Sequence, residues 1–281
     1  MSESAIRVIP VREVLLEAKL DGDGSLTQQV YRLLRMLIIE LRLVPNQFLS
    51  EKDVAAELDI SKTPVREAFI RLADDGMVRI VPKSGTYVSP IDFNRADEGY
   101  FIWRSLETAC ASEVAVKRSL EDLYCLRENL DQQKRALADG DYLRFYECDN
   151  QFHDAMFRIA GYPNAQTLIE TAKFEVDRIR NLKMRYRLRP IEEVQAEHAA
   201  VLDAIADRDS QAAGLAMYKH LSRVKDSLES LANSKELWEL FHLMNQAGPG
   251  KRGARLSRSE GRGGKAGRSF SKAKKKETAV P

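Results

Sequence analysis

The chain has 281 residues, 44% of them apolar and 31% charged, with a formal net charge of +2; this is the composition of a soluble globular protein with one large or two ordinary domains. No stretch approaches 18 consecutive apolar residues and the N-terminus lacks a basic-then-apolar signal pattern, so neither a membrane span nor secretion is expected and the location expected is cytoplasmic. Cys110, Cys125 and Cys148 form no C-x-x-C pair and are odd in number, which points to reduced thiols serving as small buried hydrophobes rather than to a disulfide framework.

Residues 1–24 hold no sustained period and end in Asp21-Gly22-Asp23-Gly24, so they read as a flexible arm with room for a short helical or extended piece. Folded structure is expected from Ser25. Ser25 and Gln28 have capping-box spacing, and Val30, Leu33, Leu34, Leu37, Ile38 and Leu41 recur at three- and four-residue steps, predicting a helix that stops before Pro45. A second helix is expected after Ser50, with Val54, Ala55 and Leu58 inside. A third opens around Ser61 to Pro64, where a proline loses no intrahelical bond, and runs through Val65, Ala68, Phe69 and Leu72 to Gly76. Val78 to Val81 and Thr86 to Val88 read as two strands joined by a turn at Pro82-Lys83-Ser84-Gly85.

After Pro90 the pattern is helical only. Helices are expected at about 93–118, 120–138, 141–160, 164–185, 191–207, 210–232 and 234–245, separated by short breaks that favour antiparallel neighbours. The fold class expected is therefore mostly α, a winged helix-turn-helix at 25–90 followed at 91–247 by an antiparallel all-α bundle of six to seven helices. Residues 248–281 carry eleven Lys/Arg against two Asp/Glu and almost no large apolar residue. They are expected to be disordered and either to attract polyanions without reading sequence or to act only as a solubilising extension.

Three helices and a hairpin in this order suit a module whose last helix enters the major groove of duplex DNA. Lys62 and Arg66, four apart, project from one face near the start of the third helix, where base edges are within reach. Ser61 and Thr63 are placed to donate to phosphates, and Lys52, Lys83 and Gly85 to add backbone contacts. The stretch "LSEKDVAAELDISKTPVREAFIRLADDGMVRIVPKSGTYV", residues 49–88, resembles the DNA-binding domain of the GntR family of bacterial transcription regulators. The resemblance implies DNA contacts by Lys52, Lys62 and Arg66 and by the wing around Gly85. The chain departs from the family in carrying lysine where arginine is usual at 62 and frequent at 52, and lysine lacks the planar fork for two-pronged guanine recognition.

In the helical half, Asp149 and His153 are i and i+4, a spacing at which both can ligate one metal. His153 shares its stripe with Met156, Phe157 and Ala160, His198 with Val201, Leu202 and Ile205, and His220 with Met217, Leu221 and Val224. Each alone reads as a satisfied core histidine. Together, three inward imidazoles beside a carboxylate would cost about 1–3 kcal/mol each if unpartnered, and a shared cation removes that cost. The pattern "D-x-x-x-H" at 149–153, "EHAAVLDAIADRDSQAA" at 197–213 and "M-x-x-H-L" at 217–221 is similar to the FCD ligand-binding domain of the FadR-like GntR branch. That resemblance implies a divalent metal, Zn, Ni or Mn, held by Asp149, His153, His198 and His220. His242, near Trp238 and Phe241, falls outside the motif and reads as a packing residue.

Such a ligand set leaves positions on an octahedral ion that a small carboxylate effector can fill. Arg104, in "R-S-L-E" with Glu107, matches a family pattern whose arginine looks towards the effector; the alternative is an ion pair with Glu107 or another acid. Arg178 and Arg180 are further candidates, with an exposed charged face as the preferred reading. The function expected is that of a cytoplasmic homodimeric repressor whose hold on a DNA operator answers to that effector. The alternative is an all-helical metal-dependent hydrolase with an accessory DNA-binding module.

Overall fold

The computed structural model describes residues 9–16, 18–20, 22–185 and 191–233. The helix expected at 234–245, His242 and the basic segment 248–281 lie outside the described residues.

The N-terminal module is built as its apolar spacing requires. Helix α2 (Leu26–Ile39) starts at a complete Ser25/Gln28 capping box and buries Val30, Leu33, Leu34, Leu37 and Ile38. Ser50 caps α3 (Glu51–Glu57) by accepting from the Asp53 amide, and α4 (Lys62–Asp74) begins at Ser61 with Pro64 in its first turn. Val65, Ala68, Phe69 and Leu72 of α4 join the buried cluster of α2 and α3. Truncating Phe69 to alanine there would cost about 3–5 kcal/mol.

The wing strands are β2 (Val78–Val81) and β3 (Gly85–Val88). A third strand, β1 (Phe48–Leu49), pairs antiparallel with β3, so the sheet order is β1-β3-β2. Two residues carry no legible alternation, which is why the spacing predicted only the hairpin. The reading of 1–24 as an arm is also corrected in part. Residues Val11–Leu15 form α1, whose Val14 and Leu15 are buried in the module core. Arg12 pairs with Glu57 at 2.8 Å, and Gln47 donates to the carbonyl of Ile9 at 2.8 Å. A single turn is too short to show a period in sequence.

Beyond Pro90 the described residues form α5 (Phe93–Lys117), α6 (Leu120–Ala138), α7 (Tyr142–Ala160), α8 (Pro163–Ala172), α9 (Phe174–Arg185), α10 (Ile191–Ala206) and α11 (Ser210–Asn233). One continuous apolar cluster from these helices, centred on Trp103, Phe152, Phe157, Met217 and Leu221, forms the second core. The helix expected at 164–185 is two helices, interrupted at Lys173. The interruption turns Phe174 out of the bundle and into the core of the N-terminal module. It also brings the carbonyl of Ala172 against α5 at Gly99, where a Cβ would lie 2.1 Å from that oxygen. Cys110 and Cys148 are buried free thiols, whereas Cys125, expected inside, is exposed.

Candidate functional site

The candidate DNA-contacting residues of the first module are open to solvent, save Gly85, which is half-buried. Lys52, Ser61, Lys62, Thr63, Arg66 and Lys83 are all exposed, and the Ser61 side chain makes no cap hydrogen bond, leaving its hydroxyl available to an outside acceptor. Lys83 is left-handed at φ 61°. Gly85 has φ 125°, and a Cβ on it would meet the Phe48 ring at 2.4 Å, so glycine is what lets the wing tip fold over β1. Arg66 is not a bare cation. Its Nε and a terminal nitrogen donate to the two carboxylate oxygens of Glu51, each at 3.3 Å. Fifteen residues separate the two in sequence, so no local spacing announces the pair. On β2, Arg79 is a further exposed arginine, held by Asn46 at 2.7 Å.

The bundle brings the three histidines among its described residues together. One nitrogen from each of His153 on α7, His198 on α10 and His220 on α11 lies within 4.8 Å of the others, and all three residues are buried. The Nε2 atoms of His198 and His220 are 3.2 Å apart. Asp149, one turn before His153, points Oδ1 at the group from its margin, 3.7 Å from Nε2 of His198 and 4.0 Å from Nε2 of His153.

Each imidazole is anchored on its other nitrogen by an acceptor from a different position. Nδ1 of His153 meets Glu107 at 2.6 Å, Nδ1 of His198 meets the Gln133 amide oxygen at 2.9 Å, and Nδ1 of His220 meets Glu197 at 2.7 Å. The Gln133 amide is oriented by donating its nitrogen to Asn129 at 2.8 Å. In neutral rings, acceptors at all three Nδ1 atoms place the protons there and aim the Nε2 lone pairs inward, the arrangement that outer partners impose on metal-binding histidines. Two lone pairs then face each other across 3.2 Å, while Nε2 of His153 and Oδ1 of Asp149 are buried without hydrogen-bond partners. A cation among the three imidazoles would satisfy their Nε2 atoms, since two nitrogens each about 2.1 Å from one ion lie roughly 3–4 Å apart, while Oδ1 of Asp149 stands at the margin of that group. The donor set therefore fits a divalent metal of borderline softness.

The electrostatics of Asp149 and His198 agree with that fit, and those of His153 do not. Burial would raise the Asp149 carboxyl, but Arg180 and then the imidazoles outweigh it and hold the group well below the usual carboxylate range. Burial, followed by neighbouring His220, pushes His198 well below the ordinary imidazole range, which keeps its lone pair available. Burial lowers His153 as well, but the Glu107 carboxylate more than compensates and raises it. Phe152 stacks on His198 at 4.5 Å and Trp103 meets His153 edge-on at 5.6 Å, walling the group with aromatic surface.

The arginines are not arranged as a solvated face. Arg178 is fully buried, paired with Glu175 at 3.1 Å and donating to the carbonyls of Ser89 at 2.9 Å and Pro90 at 3.4 Å. Arg180 grips Oδ2 of Asp149 at 2.6 Å and lies 5.3 Å over the rings of Trp103 and Tyr146. The expectation of exposure fails because α9 packs on both sides, which a helix of alternating charge does not reveal. Arg104 forms no ion pair with a described residue; Glu107, its expected alternative partner, is taken by His153. The Arg104 guanidinium lies instead 5.2 Å over Tyr100 and 4.9 Å over Tyr218.

A winged helix-turn-helix joined to a helical bundle defines a two-part DNA-binding protein. Residues 26–88 match the family described as bacterial regulatory proteins, gntR family, and residues 98–223 match the FCD domain. The HTH-type transcriptional repressor RspR of Escherichia coli (strain K12) is 33% identical over 223 residues, covering 79% of this chain and 97% of that protein. The gluconate operon transcriptional repressor of Bacillus subtilis (strain 168) is 27% identical over 231 residues, covering 80% and 94%. The solved structure of E. coli McbR/YncC shares the fold with a TM-score of 0.67 at 23% identity, over 75% of this chain and 100% of that one. The chain belongs to the GntR family of bacterial transcription regulators, with an FCD domain as its second half. It is a DNA-binding transcription regulator and not an enzyme, so the hydrolase alternative falls. No helix among the described residues is long and apolar enough to cross a membrane.

Proposed function

We propose that the chain is a metal-containing repressor that binds its operator as a homodimer and answers to a small carboxylate. Lys52, Ser61, Lys62, Thr63, Arg66, Lys83 and Gly85 form the DNA-facing surface, with Lys62 and Arg66 at base edges and the others on the backbone. Asp149, His153, His198 and His220 hold a divalent ion, Zn, Ni or Mn. The ion supplies a Lewis-acid contact for a carboxylate oxygen, and Arg104, free of any acid among the described residues, is the partner for the remaining carboxylate charge. The observation that carries this reading is the pair of Nε2 atoms 3.2 Å apart whose ring partners both hold acceptors. That geometry asks for a positive centre between them. The names of the relatives as repressors support the sign of control.

The effector changes operator affinity only by the difference in its own affinity for the two arrangements of the dimer. A thermal-shift screen of small carboxylates with and without chelator tests the reading, because a ligand selective for the folded chain raises its melting temperature by mass action. Acids that stabilise only the metal-loaded protein support it. Stabilisation indifferent to chelator, or none from any carboxylate, contradicts it.

A further inference from the structure

Helix α9 touches three parts of the molecule at once. Val176, Ile179 and Leu182 are buried in the bundle core. Phe174, at the N-terminal end of the helix, is buried in the core of the winged module and covered by Arg95 at 4.9 Å. Arg178 holds the carbonyls of Ser89 and Pro90, the segment that leaves the wing, and the Asn181 amide donates to the carbonyl of Ile39, the last residue of α2, at 3.1 Å. Arg180 holds Asp149 beside the imidazoles. At about 100° per residue, Arg178 and Arg180 point to nearly opposite sides of the helix. One side is fastened to the DNA-binding module and the other to the imidazole pocket.

We infer that Arg180 is a positioning residue that ties occupancy of the imidazole pocket to the seating of the winged module, with α9 as the rigid connection. The inference rests on the metal reading above. A cation among the imidazoles draws on the charge of Asp149, which Arg180 at present shares through a charge-assisted hydrogen bond. Arg180 has a second carboxylate within reach, Asp177 on its own helix at 3.5 Å, and its Nη1 is buried with no hydrogen-bond partner. A cation that draws Asp149 away from Nη2 would leave the guanidinium to Asp177, which Nη1 already faces, and a packed helix would transmit that change to whatever else it holds.

The test is amide hydrogen exchange on the full chain, with and without Zn2+ alone, on the wild type, Arg180→Lys and Arg180→Gln, with Zn2+ affinity measured by calorimetry on each. In the wild type, Zn2+ slows exchange at least threefold in 174–182, in 85–91 and at the end of α2, besides the helices that carry the imidazoles. In both variants Zn2+ still binds, and the slowing at 85–91 and at the end of α2 is lost. Arg180→Lys retains the charge beside Asp149, so it guards against a variant that fails to fold. Equal slowing in wild type and variants, or slowing in the wild type confined to α7, α10 and α11, overturns the inference. Calorimetry showing no Zn2+ binding to the wild type would overturn the metal reading itself and the relay with it.

Discussion

Arg180 holds one carboxylate oxygen of Asp149 at 2.6 Å and leaves the other facing the imidazoles without a hydrogen-bond partner. The carboxylate thus stands between a fixed cation and an open cluster of lone pairs. Asp149→Ala removes the acid and strands Arg180, whose remaining carboxylate within ion-pair distance is Asp177 at 3.5 Å. Breaking a buried pair from one side costs about 3–5 kcal/mol. Urea unfolding of Asp149→Ala should show that loss, and an unchanged midpoint would mean that the pair contributes nothing.

On the DNA-binding face, Arg66→Ala should weaken operator binding by about 1–3 kcal/mol and relax base preference, while Lys52→Ala and Lys83→Ala should each reduce the slope of affinity against salt by about 1, whatever the sequence. Fluorescence anisotropy over a salt series separates the two behaviours. If Lys83→Ala changed base preference instead, the assignment of the wing to the backbone would be wrong.

Glu51→Gln should release Arg66 from its two-pronged carboxylate partner. An exposed pair of this kind is worth about 0–1 kcal/mol, so binding to a random duplex should tighten by up to about fivefold, with little change in folding stability. Weaker random-duplex binding would show that Glu51 orients Arg66 for DNA rather than competing with it.

The wing tip has a backbone test. Gly85→Ala places a Cβ against the Phe48 ring at φ 125°, a strain of about 1–3 kcal/mol. A fall in thermal stability together with a weaker salt slope is expected; wild-type values for both would mean that the tip relaxes without cost.

Alkaline pH tests the contact between α2 and the end of α4. The Tyr31 hydroxyl donates to Asp75 at 2.6 Å, and burial, then Asp75, push its pKa from 10.0 up to about 12. Between those values the unfolded chain has lost the proton and the folded chain has kept it. The stabilisation is therefore complete below pH 10 and lost as pH rises towards 12. Urea midpoints at pH 9 and 11 should fall further for the wild type than for Tyr31→Phe, and equal falls would contradict the assignment.

Much of this was legible in the sequence because each signal was local. The Ser25 capping box, the Ser50 cap and the Asp149/His153 spacing depend on residues three or four apart, and the structure places them as that spacing predicts. The inward stripes of His198 and His220 follow from helical period. What escaped was made by distance in sequence. Gln133 meets His198 across 65 positions, Arg178 meets Ser89 across 89, and Asn181 meets Ile39 across 142. Arg178 and Arg180 are not legible as buried, because charge on a helix reads as solvent exposure unless its buried partners are known. The break at Lys173 was hidden because Phe174 keeps the apolar rhythm while serving the other core.

X-ray absorption fine structure on the Zn2+-loaded chain tests the central claim most directly. A first shell of nitrogen and oxygen near 2.0–2.2 Å, with the outer-shell scattering of three imidazoles, is the result predicted. A shell containing sulfur from a cysteine, or one without imidazole scattering, would contradict the assignment of the ion to His153, His198 and His220.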